Sequence, residues 1–175
     1  MKRYIFLLLG LLVSSSSFSQ SANWKAAFDK QLPLLGHRNW ILIVDKAFPA
    51  QTAPGIEVLE TKEDILPVSR IVLEKLKASD HVKPVIYTDK ELEYLTADMV
   101  PQINDFRDKH KVLFSSYPVK TMLHESVFSR IDEASRLFRI IVLKTNTLIP
   151  YSSVFIELDC KYWNDDLEKA LRKKM

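Results

Sequence analysis

The sequence is poor in cysteine and glycine, and each shortage excludes a class of protein. Its 175 residues include one cysteine and three glycines. A single cysteine rules out an intrachain disulfide, so the fold depends on its core. The glycines, Gly10, Gly36 and Gly55, form no phosphate-binding loop. With 47% hydrophobic and 27% charged residues the chain is otherwise ordinary for a globular protein, and one domain is expected at this length.

Other familiar catalytic patterns are missing as well. No G-x-S-x-G elbow occurs, and no pair of histidines has metal-ligand spacing. We therefore expect no metal and no cofactor. Cys160 ends an apolar strand, where a buried or half-buried bystander is expected instead of a nucleophile.

The longest hydrophobic run lies at the N-terminus and is short for a membrane span. Lys2 and Arg3 precede an apolar stretch over 5–13, and small residues at 17 and 19 suit cleavage after position 19. A spanning helix needs about 20 apolar residues. The pattern favours a cleaved signal peptide over a membrane anchor, and hence export to the periplasm or out of the cell. The predicted units are a signal peptide, 1–19, and a single domain, 20–175.

Removal of this segment changes the charge balance. The whole chain carries a formal charge of +3 at pH 7. Residues 1–19 contain two basic and no acidic residues, which leaves +1 for the mature chain. A nearly neutral protein has little electrostatic attraction to nucleic acid or to an anionic membrane. We therefore expect neither of them as a partner.

Short apolar runs alternate with helical patterns along the mature chain. The run over 40–44 is continuously apolar, which is typical of a strand covered on both faces. Further strands are predicted over 83–87, 112–114, 138–143 and 154–158. Helices are predicted over 23–35 with a kink or an early end near Pro33, 63–77, 90–109 with a break near Pro101, 119–136 and 164–174, and a loop over 46–56. The alternation predicts one α/β domain with a largely parallel sheet and helices on both faces.

Polar residues adjoin the predicted strand ends. Asp45 follows the first strand, and the segment 151–153 precedes the last one. In sheets of this type, ligands bind outside the strand ends. We therefore expect a site in the loops after Val44, after Tyr87 and before Val154.

His37 and Asp45 flank the first strand. Imidazole titrates near neutral pH and acts as an acid or as a base. Because a strand advances about 3.3 Å per residue, the two side chains are roughly 25 Å apart in one chain. They share a site only if the chain bends or if another subunit brings in the second group. Otherwise, His37 is a solvated turn residue and Asp45 merely ends the strand.

The remaining candidates have simple alternatives. Tyr151 and its two serine neighbours offer hydroxyl groups that suit a sugar, or they form an ordinary surface turn. His124 lies beside Glu125 in a predicted helix, where adjacent side chains point apart, so a solvated helix face is the alternative. His81 and His110 are predicted to be surface loop residues.

Two segments resemble the family of D-ribose pyranases and L-fucose mutarotases. The segment LGHRNWILIVDKAFPAQT, 35–52, is similar to the family's Leu/Met-Gly-His-x-Asp start, apolar strand, aspartate and Phe-Pro loop. The segment FRIIVLKTNTLIPYSSVFIEL, 138–158, follows the family's plan of two strands around a Pro-Tyr-x-Asn loop. The resemblance covers about residues 24–160.

This resemblance implies a three-layer α/β/α sandwich with a mostly parallel central sheet. It implies assembly into homo-oligomeric rings with sugar sites at subunit contacts. The implied reaction is the cofactor-free interconversion of cyclic forms of a monosaccharide. By the same resemblance, His37 is the proton donor, and Asp45 and Tyr151 bind the sugar. Ser153 and His124 match further sugar-binding positions, His124 only if one extra helical turn is allowed.

The sequence also departs from the family. Asn39 replaces the acid two positions after the histidine, and Ser153 replaces an asparagine. The turn at 144–147 lacks the family's Gly-Glu pair, and the helix over 164–174 lies beyond the usual end, where it could block or alter ring assembly. A non-catalytic sugar-binding homologue and a structural ring-forming protein without a ligand are therefore the alternatives to a mutarotase.

Overall fold

A computed structural model describes residues 23–175 as one six-stranded sheet with five α-helices. The predicted signal peptide lies outside these residues, so it stays a prediction, as does export. The helices are α1 (Trp24–Gln31), α2 (Ile65–Ala78), α3 (Ile103–Phe114), α4 (His124–Ser135) and α5 (Asp165–Arg172). The strands are β1 (Trp40–Val44), β2 (Ile56–Glu60), β3 (Val82–Asp89), β4 (Val119–Met122), β5 (Ile140–Lys144) and β6 (Val154–Cys160). Short 3₁₀ turns cover Leu32–Leu34 and Lys90–Tyr94.

The strand order in the sheet is β2-β5-β1-β6-β3-β4. Strands β2, β5 and β1 run parallel to one another, and so do β3 and β4. Strand β6 runs antiparallel to both of its neighbours, β1 and β3. The prediction of an α/β fold with a mostly parallel sheet is confirmed. Within the part of the chain that the structure describes, no helix has the length and apolar character to cross a membrane.

Strand β1 is covered on both faces, as its apolar run predicts. Ile41 and Ile43 pack into a core that contains buried residues of α1, α2 and α3. Trp40, Leu42 and Val44 pack on the other face, against α4. Each buried large side chain contributes roughly 1.5–3 kcal/mol by leaving water. The alternation of β1 side chains between the two faces therefore organises the three layers.

Local signals explain where two of the helices begin and end. The Asn23 side chain accepts hydrogen bonds from the N–H groups of Lys25 and Ala26, so it caps α1. This helix ends at Gln31 and continues as a 3₁₀ turn that contains Pro33, which confirms the predicted early end. Asn164 caps α5 through the N–H of Leu167, also as predicted.

Four segments differ from the predictions. The stretch 95–102, predicted to be helical apart from a break near Pro101, contains no helix and separates the second 3₁₀ turn from α3. The apolar residues at 112–114, predicted as a strand, form the last turn of α3, where Phe114 is buried and Val112 is 73% exposed. The strand that follows α3 is β4, whose residues were predicted to belong to the helix over 119–136. Strand β2 was not predicted. The two strands that were not predicted, β2 and β4, are the outermost strands of the sheet. Each pairs with a neighbour on one side only, which leaves a weak sequence pattern.

Candidate active site

Strands β1, β3 and β6 bring polar side chains to one edge of the sheet. Asp45 follows β1, and Asp89 is the last residue of β3. Val154, which begins β6, is in register with Ile43 of β1 and with Thr88 of β3. Because β6 runs the opposite way, its preceding loop lies between the ends of the other two strands. We call this side of the sheet the C-terminal edge, and the side where β1 and β3 begin the N-terminal edge.

Ser153 fixes the carboxylate of Asp45. Its hydroxyl donates to Asp45 Oδ2 over 3.0 Å and accepts from the Asp45 backbone N–H over 3.2 Å. The N–H of Ala47 donates to the other carboxylate oxygen over 2.8 Å. Ser153 is buried, whereas Asp45 is half-buried. The Ser153 hydroxyl proton is thus already used, and Asp45 is held as an oriented acceptor at the edge of the site.

The buried Asp89 and the half-buried His124 form an acid–base pair. Asp89 is 1% exposed, and its Oδ2 lies 2.9 Å from His124 Nδ1. Its second oxygen, Oδ1, is buried and has no hydrogen-bond partner. Burial raises the pKa of Asp89 from 3.8 to about 6, against the opposing effect of the His124 hydrogen bond and charge. The carboxylates of Glu91 and Asp45 raise this pKa further, which places Asp45 within electrostatic reach of the pair.

Glu91 fixes the backbone of the same histidine. Both of its carboxylate oxygens accept from the His124 N–H, each over 3.1 Å. His124 is the first residue of α4, so this N–H is one that the helix itself leaves unpaired. A carboxylate is favourable at this end of a helix because of the helix dipole. His124 is therefore fixed through its backbone and through its side chain.

Aromatic rings line the other side of His124. The Tyr151 ring meets the imidazole edge-on, with centroids 5.3 Å apart, and the Phe128 ring lies 4.7 Å away. Phe48, in the loop after β1, stacks on Phe128 at 5.3 Å. The site thus combines polar groups with an apolar wall, as small-molecule sites do.

The position of Tyr151 depends on an unusual backbone conformation. Its φ of 57° lies in the left-handed region, which costs a non-glycine residue on the order of 1 kcal/mol or more. The Ser152 hydroxyl donates to the Ile149 carbonyl over 2.7 Å and closes this turn. The turn directs the tyrosine ring onto His124, which argues against an ordinary surface turn.

The structure brings together four of the five residues predicted for the site and separates the fifth. Asp45, His124, Tyr151 and Ser153 share the C-terminal edge through the contacts given above. His37 precedes β1 at the N-terminal edge, where it is exposed. It lines an open pocket of about 730 Å³ together with residues of β6 and α5, Cys160 among them.

Asn39, which stands where the family that the sequence resembles has an acid, has a structural role. Its side-chain oxygen accepts from the Gly36 N–H over 2.7 Å, and its amide donates to the Arg139 carbonyl over 3.1 Å. These bonds close the turn that leads into β1. They hold the segment around His37 without supplying a charge.

Two residues of the site, Asp89 and Glu91, were not predicted from the sequence. The loop after Tyr87 was predicted to contribute, but no residue in it was singled out. The available signal was an aspartate that ends an apolar strand, because the ends of parallel strands meet at one edge of the sheet. Glu91 had no such signal, since its role depends on where α4 begins.

Two further histidines lie outside the site. His81 Nε2 is 3.0 Å from the Leu35 carbonyl at the N-terminal edge. His110 was predicted to lie in a surface loop, and this is wrong: it is a half-buried residue of α3 between Phe106 and Phe114. Burial lowers the pKa of His110 to about 4. Across residues 23–175, no group of three or more histidine, cysteine or acidic side chains is arranged to hold a metal.

Comparisons with known proteins show the same fold in two sugar complexes. No family model and no curated protein sequence matches this chain. The structure is similar to Bacillus subtilis RbsD complexed with D-ribose, with a TM-score of 0.54, 16% identity, and coverage of 75% of this chain and 90% of that one. It is also similar to the fucose mutarotase of Streptococcus pneumoniae in complex with L-fucose, with a TM-score of 0.55 and 13% identity. This match covers 78% of this chain and 94% of that one. The chain therefore has the fold of RbsD and of fucose mutarotase, which confirms at the level of the fold the resemblance seen in its sequence.

Proposed function

We propose that this protein binds a monosaccharide and interconverts its cyclic forms by acid–base catalysis of ring opening. The observation that carries the proposal is the pair of the buried Asp89 and the half-buried His124, which lies against Tyr151 at the C-terminal edge. The shared fold supports the same function, because the two similar structures contain D-ribose and L-fucose.

Ring opening of a cyclic sugar requires two proton transfers. A base removes the proton of the anomeric hydroxyl, an acid protonates the ring oxygen, and the bond between the anomeric carbon and the ring oxygen breaks. Closure reverses these steps on either face of the new carbonyl, so protons and electrons balance without a cofactor. General acid–base catalysis of this kind contributes about 10²–10⁴-fold to a rate.

His124 is the group best placed for one of these transfers. Its Nδ1 is bonded to Asp89, which leaves Nε2 to exchange a proton with the sugar. An ionised Asp89 accepts from Nδ1–H and leaves Nε2 as a base, and it stabilises the imidazolium that forms when Nε2 takes the proton. Asp45 and the Tyr151 hydroxyl bind and orient sugar hydroxyl groups in this proposal.

The second proton transfer is assigned to His37 of a neighbouring copy. His37 is exposed, and an extended strand separates it from Asp45 by roughly 25 Å within one chain. It therefore reaches a site only in an assembly that places the N-terminal edge of one copy against the C-terminal edge of the next. Homo-oligomers with shared sites are thus part of the proposed function.

The proposal is tested by measuring anomer exchange of D-ribose and L-fucose by saturation-transfer NMR. We expect exchange faster than in buffer, and a decrease of about 10²–10⁴-fold in the variant His124→Gln. His37→Gln should also slow exchange, whereas the control His81→Gln should leave the rate unchanged. Exchange that is no faster than in buffer for every sugar tested would exclude the catalytic function.

A non-catalytic sugar-binding protein is the second candidate. The bonds of Asn39 and Ser153 favour it, because the first holds a turn without a charge and the second gives its proton to Asp45. In the same experiment, this candidate gives saturation transfer from protein to sugar without faster exchange. Absence of both effects would leave the structural ring-forming alternative.

A further inference from the structure

Helix α5 is too short to be stable without packing, yet none of its residues is buried. It has eight residues, and isolated helices shorter than about 12–15 residues are marginal in water. Leu167 and Leu171, one turn apart, are 45% and 43% exposed. Trp163, just before the helix, is 39% exposed. These side chains form an apolar stripe that requires a partner surface.

A groove between α2 and α3 has the matching character. It encloses about 900 Å³. Its apolar lining comes from both helices and from the loop before β6, and comprises Leu66, Ile71, Phe106, Leu113, Leu148 and Ile149. Leu148 is 78% exposed there. The groove reaches the C-terminal edge of the sheet, because Ile149 is two residues before Tyr151.

The charges of the groove are ordered along its length. Asp64 precedes α2, and Asp105 lies in the first turn of α3. Arg70 and Lys109 follow one to two turns further along the same two helices, and all four residues line the groove. Lys109 pairs with Asp105 over 2.7 Å, whereas Asp64 and Arg70 form no ion pair within residues 23–175. At 1.5 Å per residue, Asp64 and Arg70 are about 9 Å apart along the axis. The groove is therefore acidic at one end and basic further along.

Helix α5 has the complementary order of charges when it runs the opposite way. Its first turn contains Asp165, Asp166 and Glu168, and its last turn contains Lys169 and Arg172, of which Arg172 pairs with Glu168 over 2.7 Å. The distance from Asp165 to Arg172 is about 10 Å along the axis, close to the spacing in the groove. Laid antiparallel to α2 and α3, the helix brings its bases to the acidic end and its acids to the basic end. Antiparallel packing also opposes the helix dipoles favourably.

We propose that α5 of one copy docks antiparallel into the α2–α3 groove of a neighbouring copy, with Leu167 and Leu171 on the apolar floor. A helix in an apolar groove is a common mode of recognition. Within one chain, α5 follows β6 at the N-terminal edge, while the groove opens at the C-terminal edge. The contact is therefore head-to-tail between copies, and such contacts form rings or filaments.

In one respect this inference rests on the proposed function. His37 and α5 line the same pocket, and the groove ends two residues before Tyr151. A single head-to-tail contact therefore carries α5 into the groove and His37 toward the neighbouring sugar site. In this arrangement, α5 reinforces the subunit contact that the shared site requires.

Disulfide trapping between copies tests the docking. In a Cys160→Ser background, chains with Leu171→Cys are mixed with chains with Leu148→Cys and mildly oxidised. We expect a disulfide between positions 171 and 148 of two different chains, identified by peptide mass spectrometry, because the antiparallel docking brings Leu171 to the end of the groove where Leu148 lies. The control mixture replaces Leu148→Cys by Leu137→Cys, an 81% exposed position just after α4, and should give no 171–137 disulfide.

Other results of this experiment overturn the docking. They are the absence of a 171–148 disulfide, equal yields in the two mixtures, or a product in which two Leu171→Cys chains are joined to each other only. A double variant carrying both cysteines in one chain adds a further check, since a disulfide within one chain would show that α5 occupies its own groove.

Charge reversal provides a second measurement that does not need cysteines. Asp166→Lys should raise the dissociation constant between copies at least tenfold in sedimentation velocity, and Arg70→Glu should do the same. The combination of both changes should recover most of the loss. The docking and the proposed function can be rejected separately. If disulfides are trapped but His37→Gln leaves anomer exchange unchanged, the shared site alone is rejected. If His37→Gln slows exchange but no disulfide is trapped, the docking alone is rejected.

Discussion

The two edges of the sheet contain similar polar residues in opposite environments. At the C-terminal edge, Asp89 and Ser153 are buried, and His124 is held by Asp89 and Glu91. At the N-terminal edge, His37 is exposed and α5 buries none of its residues. Most buried polar groups have hydrogen-bond partners, and at the first edge those partners orient Ser153 and one oxygen of Asp89. One edge is thus organised within a single chain, whereas we propose that the other becomes organised only in an assembly.

We expect the largest change in the free energy of unfolding when a buried carboxyl, Asp89, is replaced, compared with an exposed one. Because the pKa of Asp89 is raised from 3.8 to about 6, the native state binds its proton more tightly than the unfolded state. This contribution to stability is complete below about pH 4 and is lost as the pH rises through about 6. At about 1.4 kcal/mol per pKa unit, Asp89→Asn should raise the free energy of unfolding at pH 7 by about 3 kcal/mol. Asp159→Asn, a half-exposed residue at the other edge, should change it by less than about 0.5 kcal/mol.

Urea unfolding between pH 4 and 7.5 checks this prediction and its sign. His110 has a lowered pKa of about 4, so its contribution is present above about 6.5 and is lost as the pH falls through 4. In the wild type, lowering the pH lets Asp89 raise the free energy of unfolding while His110 lowers it, so the two effects oppose each other. Asp89→Asn should therefore reveal a loss of stability toward acid. Parallel curves for the variant and the wild type would show that Asp89 does not titrate in this range.

Ser153→Ala should have the next largest effect. The variant removes the hydroxyl that donates to Asp45 Oδ2, in a residue that is 1% exposed. Hydrogen bonds to charged groups contribute about 1.5–3 kcal/mol, so we expect the free energy of unfolding to fall by about 2 kcal/mol. The control Ser115→Ala, in an exposed residue, should cost less than about 0.5 kcal/mol. Equal losses would contradict the anchoring of Asp45 by Ser153.

We expect the smallest change in the free energy of unfolding when the two asparagine caps are replaced. Asn23 begins α1, whose Trp24 and Phe28 are buried, whereas Asn164 begins α5, which buries nothing. At protein concentrations too low for association, Asn23→Ala should lower the free energy of unfolding by about 1 kcal/mol. Asn164→Ala should leave it unchanged and only increase hydrogen exchange within α5. A similar loss in both variants would show that α5 is coupled to the core of its own chain.

The sequence predicted the fold where its pattern is strong. The apolar run of β1 indicated a doubly covered strand, and Asn23 and Asn164 indicated where two helices begin. The edge strands β2 and β4 were missed because each pairs on one side only and contains exposed polar residues. The apolar residues at 112–114 fit a strand or a helix equally well, because three residues are too few to show a period.

The sequence predicted the site less completely, because the site depends on which strands are neighbours. Asp45 and Tyr151 were predicted from strand ends, but Asp89 joins them only because β6 lies between β1 and β3. His124 was placed inside a predicted helix, with a solvated face as the alternative. The helix begins at His124, and its side chain is 30% exposed and bonded to Asp89, so that alternative is wrong. An error of a few residues in a helix start thus concealed a residue of the site.

The central position of β6 has a consequence for how the chain folds. Strands β2, β5 and β1 form one part of the sheet and β3 and β4 another, and β6 alone joins them. Since β6 is the last strand in the sequence, the N-terminal strands cannot complete their pairing until nearly the whole chain has been synthesised. Such distant pairings slow folding, because long loops must close before they form. We therefore expect the sheet to assemble late, in one cooperative step that requires the C-terminal part of the chain.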